Sequence, residues 1–134
     1  MTAHKYLRYT NLLLVIPILY FLFSKKKPIA EYILAIMLVF IIITSQLFWN
    51  NPIKQSQIHT IDSIIAKIVM ISFCLYIVSY KFKFSFLLVL LAICISFYFS
   101  NYYSNQEWCS NEHIIYHGIL HIFCFVATFY AFTF

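Results

Sequence analysis

Apolar residues run in five long blocks along this chain: Tyr9–Phe23, Ile29–Trp49, Ile61–Tyr80, Phe84–Tyr103 and Ile114–Phe134. Short polar breaks separate them: Ser24-Lys25-Lys26-Lys27-Pro28, Asn50 to Thr60, Lys81-Phe82-Lys83, and Ser104 to His113. Within a block the apolar residues fall on every side of a helix, and nothing alternates in twos. The hydrocarbon core of a bilayer is about 30 Å thick, and a helix crosses it with roughly 20 apolar residues. A barrel strand needs about half that length and alternates polar with apolar. The pattern therefore predicts an all-α fold: a polytopic transmembrane helical bundle of about five helices, in one domain over 1–134.

Turn signals sit where this topology needs them. Lys27-Pro28 opens the second helix, and Asn50-Asn51-Pro52 closes it. The first block is the shortest and contains Pro17. It reads as a retained helix rather than a signal peptide, because a lysine cluster and no small-x-small site follows Phe23. A position in the membrane interface is the alternative for this segment.

Composition sharpens the class. Of 134 residues, 63% are hydrophobic and 10% charged, against roughly 25% charged in a soluble domain. So few charges cannot clothe a water-facing surface, which makes membrane lipids the main solvent and the first partners. The net charge of +5 does not point to nucleic acid. The basic residues lie scattered at helix ends and form no groove-sized patch. They are better read as topology. The side holding the amino terminus, side A, carries Lys5, Arg8 and Lys54 with Glu107 and Glu112. Side B carries Lys25, Lys26, Lys27, Lys81 and Lys83, and this excess favours side B as cytoplasmic. Lys67, two turns into the third helix, is expected to snorkel its amine towards side A. Cys74, Cys94 and Cys124 fall within blocks and Cys109 in a loop, which suits small hydrophobes rather than a disulfide framework.

Ionisable residues inside a membrane span are costly, and here they gather. Ser45 lies near the end of the second helix, His59 and Asp62 open the third, and His113, His117 and His121 open the fifth. The topology places all six in the side-A half of the bundle. Residues four apart on a helix are separated by about 6 Å along the axis and about 40° around it. His113 and His117 thus share a face, and two imidazoles so spaced can reach one metal ion. Asp62 beside a metal-bound water could accept its proton. Each residue also has a plainer reading: interfacial histidines, an acid at a helix amino terminus, a serine that packs helices together, and His121 as a packing or hydrogen-bonding residue.

Taken in order, Ser45-Gln46-Leu47-Phe48-Trp49, Ile58-His59-Thr60-Ile61-Asp62 and His113-Ile114-Ile115-Tyr116-His117 resemble the motifs of the CREST superfamily of membrane hydrolases. That group includes alkaline ceramidases, progestin and adipoQ receptors, hemolysin-III-like proteins and Per1-type proteins. Its members have Ser-x-x-x-His near the end of the second helix, an Asp opening the third, and His-x-x-x-His in the last. The resemblance implies a zinc cofactor held by His113 and His117, catalytic roles for Asp62 and Ser45, and hydrolysis of a lipid amide or ester. Trp49 stands where the superfamily has its remaining histidine ligand, and His59 is the candidate to replace it. Those families also have seven helices. A non-catalytic membrane scaffold or assembly protein, keeping the bundle without a working site, is the alternative. A haem protein with paired histidines is a third reading, disfavoured because His59, His113 and His117 crowd at one level.

Overall fold

The computed structural model describes residues 4–24 and 28–133, with the side chain of Thr133 outside that set. Lys25–Lys27, central to the charge asymmetry, and Phe134 lie outside the described residues. The helices are α1 (Lys5–Leu12), α2 (Val15–Phe23), α3 (Ile29–Asn50), α4 (Gln57–Tyr80), α5 (Phe84–Gln106) and α6 (Asn111–Thr133). With α1 and α2 taken as one interrupted span, five helices are long and apolar enough to cross a membrane. The bundle is the polytopic one that the apolar blocks predict.

The interruption has a local cause. Pro17 has no N–H to return to the carbonyl of Leu13. That carbonyl takes the Ile16 N–H instead, at 3.1 Å, and Leu13 and Leu14 bond back to Thr10 and Asn11 at 3.2 and 3.1 Å. This three-residue spacing tightens the turn just before proline and interrupts the span between Leu12 and Val15. α1 begins at Lys5 rather than near Tyr9, because Leu7 is buried in the bundle and Arg8 is bonded to Gln46 and Asn50 of α3. α4, α5 and α6 also run beyond their apolar blocks on side A. Hydropathy marks where lipid begins, whereas a helix starts at its capping hydroxyl.

α6 packs against α1, α2, α4 and α5, and α3 packs against α1, α2 and α4. In the side-B half the core is apolar. Phe21 of α2, Phe73 of α4 and Phe132 of α6 meet there, with ring centroids 5.0 Å (Phe21–Phe132) and 5.7 Å (Phe73–Phe132) apart. Large apolar residues elsewhere on the surface face outward, as a lipid-solvated chain requires. Lys67 is exposed on α4, in keeping with a snorkelling amine. The four cysteines are free.

One polar strap closes the side-B end. Buried Glu31, in the first turn of α3, accepts from the Tyr76 hydroxyl at 2.7 Å and pairs with Lys81 Nζ at 3.4 Å. Removing one partner of a buried ion pair leaves a charge unmatched, so Lys81→Met should lower stability in detergent by about 1–3 kcal/mol. Adding Glu31→Gln should recover most of that loss. A chemical unfolding series on the two single variants and the double variant measures the coupling, and simple addition of the losses would mean the strap contributes nothing.

Candidate functional site

The side-A half contains two helical hairpins built to one plan. In α3–α4, Ser56 caps α4 by accepting the His59 N–H at 3.2 Å, and His59 Nδ1 accepts the Gln55 N–H at 2.9 Å. In α5–α6, Ser110 accepts the His113 N–H at 3.2 Å, and His113 Nδ1 accepts the Cys109 N–H at 3.1 Å. This is a capping box with histidine in the place usual for Glu or Gln, reaching one residue further back. The residue before each cap is left-handed, with φ of 62° at Gln55 and 59° at Cys109. One turn deeper, a serine on the preceding helix meets the next polar residue. Ser45 Oγ donates to Asp62 Oδ1 at 2.8 Å, and Ser100 Oγ bonds His117 Nδ1 at 3.0 Å. The two pairs have the same separation of 17 residues.

Thr44 adds a second donor to Asp62 Oδ1, at 3.1 Å. The buried carboxylate thus rests on two hydroxyls of α3, which is what makes an acid tolerable at this depth. Deeper still, Thr10 of α1 meets His121 Nδ1 at 2.8 Å, and buried Asn11 donates to the Ile42 carbonyl at 3.3 Å. His121 therefore fastens α6 to α1 and stands apart from the acid.

Aromatic rings pack around the histidines, of which His113 and His117 touch at 5.9 Å and His117 and His121 at 4.7 Å. His59 stacks on Phe48 at 4.8 Å between centroids and touches Trp108 at 5.2 Å. His113 lies 4.9 Å from Trp108, and Trp49 lies 6.1 Å from His113 and 5.2 Å from His117. The two indoles stack at 6.1 Å with an interplanar angle of 11°. Trp108 Nε1 donates to the Pro52 carbonyl at 3.1 Å, while the buried Trp49 Nε1–H meets no acceptor among the described residues.

This arrangement bears directly on a zinc ion. Zinc held through Nε2 needs a lone pair there, with Nδ1–H donated outward to a neighbour. A neutral imidazole that accepts at Nδ1 carries its proton on Nε2. His59 and His113 both accept backbone N–H groups at Nδ1, so both hold the opposite tautomer. Among the described residues no three His, Cys, Asp or Glu side chains converge on a point that could hold a metal ion. Burial pushes the Cys109 thiol above its ordinary range, keeping it a neutral thiol rather than a thiolate ligand. As arranged, the donor set does not fit zinc.

The motif residues are therefore brought to one end of the bundle but not to one point. Ser45 meets Asp62, His113 touches His117 edge to face at 5.9 Å, and Trp108 packs against both His59 and His113. Sequence reasoning missed Thr44, Ser100, Thr10 and the two tryptophans as partners. The repeated Ser-x-x-His of Ser56–His59 and Ser110–His113 was the available signal for the twin caps. Comparison of the chain with known protein families, with curated proteins and with solved structures finds no match.

Ser110→Ala should cost about 1 kcal/mol, the usual penalty for deleting a helix cap, with Ser56→Ala similar. In a double-mutant cycle, Ser45→Ala and Asp62→Asn should show a coupling of about 1 kcal/mol, near the upper part of the range for side-chain hydrogen bonds within membranes. Equilibrium unfolding in mild detergent reads both, and a coupling indistinguishable from zero would show that the Ser45–Asp62 contact does not hold α3 to α4.

Proposed function

We propose that this chain is a non-catalytic multi-pass membrane protein, a scaffold or assembly element whose side-A histidines, serines and Asp62 fasten its helices together. The observation that carries this reading is the hydrogen bond each of His59 and His113 accepts at Nδ1. Each imidazole spends its Nδ1 lone pair on a backbone N–H beside its own helix cap. Trp49 supports it from the other side. Where the CREST families have a histidine ligand, this chain has an indole, packed 6.1 Å from His113 and 5.2 Å from His117, which offers no lone pair to a metal ion. A buried group that serves only as a fastener needs no opening to substrate.

A second reading has one specific observation on its side. The Ser45–Asp62 hydrogen bond at 2.8 Å joins the two residues to which the resemblance gives catalytic roles, on the helices it expects. A zinc-dependent hydrolase of a lipid amide or ester would need His113, His117 and His59 to release their present partners and turn towards Asp62.

Metal content separates the two. Wild-type protein and His117→Ala, equilibrated with zinc in detergent and then desalted, should retain the same background of metal, with no ceramide or lysolipid cleaved by either. About one zinc per chain in the wild type, lost in His117→Ala with the helices intact by circular dichroism, would overturn the scaffold reading in favour of the hydrolase.

A further inference from the structure

A groove of about 310 Å³ opens between α1 and α3 at the side-A surface, lined by Lys5, Arg8, Tyr9, Leu12 and Gln46. Its floor is built around one arginine. Arg8 Nε donates to Gln46 Oε1 at 3.3 Å, Arg8 Nη1 donates to Asn50 Oδ1 at 3.2 Å, and Gln46 Nε2 donates back to the Arg8 carbonyl at 2.9 Å. These contacts orient the guanidinium, yet both partners are neutral amides. The positive charge is held in place without being balanced.

The chain has four acidic residues, and none of them neutralises this group. Glu31 serves Lys81 and Tyr76 at the far end of the bundle, and Asp62 rests on Ser45 and Thr44. Glu107 and Glu112 flank the α5–α6 turn. Among the described residues neither Arg8 nor Lys5 has an ion pair. Most of the guanidinium's N–H donors are unclaimed, in the planar fork that matches a phosphate. The exposed Lys5 and Tyr9 lie alongside it.

Depth names the source of the anion. Asn50 ends α3, and Gln46 is one turn inside it, so the guanidinium lies at the membrane boundary. The groove is polar at Lys5, Arg8 and Gln46 and apolar at Leu12. Below Leu12 the exposed side chains are Ile16 on α2 and Val39 and Ile36 on α3, a surface suited to an acyl chain. We propose that this groove is a binding site for an anionic phospholipid, with the headgroup phosphate on Arg8 and Lys5 and an acyl chain running down between α1–α2 and α3. The site is independent of the histidine cluster and stands whether or not that cluster binds metal.

The test is native mass spectrometry of the whole chain in detergent with phosphatidylglycerol or phosphatidylcholine added at equal concentration. The wild type should bind phosphatidylglycerol preferentially. Arg8→Gln and, separately, Lys5→Gln should each weaken that binding about fivefold, the usual effect of one basic residue at a charged membrane surface. Lys54→Gln, on the same side but outside the groove, should leave it unchanged. Lys5 is exposed and makes no contact that folding needs, so its variant keeps the experiment decisive if Arg8→Gln fails to fold. Equal binding by the wild type and Lys5→Gln would overturn the proposal, as would an equal loss in Lys54→Gln, which would indicate diffuse charge. Displacement of the bound lipid by inorganic phosphate as readily as by short-chain phosphatidylglycerol would also overturn it, assigning the groove to a free anion instead.

Discussion

Inside a bilayer there is no water to satisfy a polar side chain, so the polar groups buried in this chain, the Trp49 Nε1–H apart, take their partners from the chain itself. Four such contacts order the side-A half. Ser45 with Asp62 joins α3 to α4, and Ser100 with His117 joins α5 to α6. Thr10 with His121 joins α1 to α6, and Asn11 with the Ile42 carbonyl joins α1 to α3. Apolar packing alone would not choose among neighbours, because lipid chains are as apolar as the side chains they replace. The polar pairs specify which helices meet and at what height.

The same constraint accounts for the likeness of the two hairpins. A helix that starts at the membrane boundary exposes backbone N–H groups that need acceptors. Ser56 and Ser110 supply a hydroxyl, and His59 and His113 supply a ring nitrogen for the residue before. Both turns pass through a left-handed residue that is not glycine, a conformation retained because the cap on its far side holds it. The strap of Glu31, Tyr76 and Lys81 does the corresponding work at the other end of α3 and α4.

Chemistry follows from how these groups are already occupied. An imidazole engaged at Nδ1 by a backbone N–H is a structural acceptor, and changing it into a metal ligand requires undoing a helix cap. His113 and His117 touch edge to face at 5.9 Å, and Trp108 packs against both His59 and His113. Arg8 is the contrasting case. It is held firmly by neutral partners, its charge is unmatched within the described residues, and it lies where the surrounding solvent itself carries phosphate.

Length and hydropathy alone determined the class of fold, because a run of about 20 apolar residues with internally satisfied backbone can only be a membrane helix. Chain direction then determined that Ser45, His59, Asp62, His113, His117 and His121 share one end of the bundle. The interruption before Pro17 was equally local, since a missing N–H is a property of the residue itself. What the sequence left open was partnership. Whether His113 and His117 offer lone pairs to a common ion, or spend them on other partners, depends on helix rotation and on ring orientations set by neighbours distant in the chain. For His59 and His113, which ring nitrogen is free depends on the turn that precedes the cap. The clamp of Gln46 and Asn50 on Arg8 is likewise invisible in one dimension, because its members lie 38 and 42 residues from the arginine they hold. Only the packing of α1 against α3 brings them together, and that packing is a property of the whole bundle.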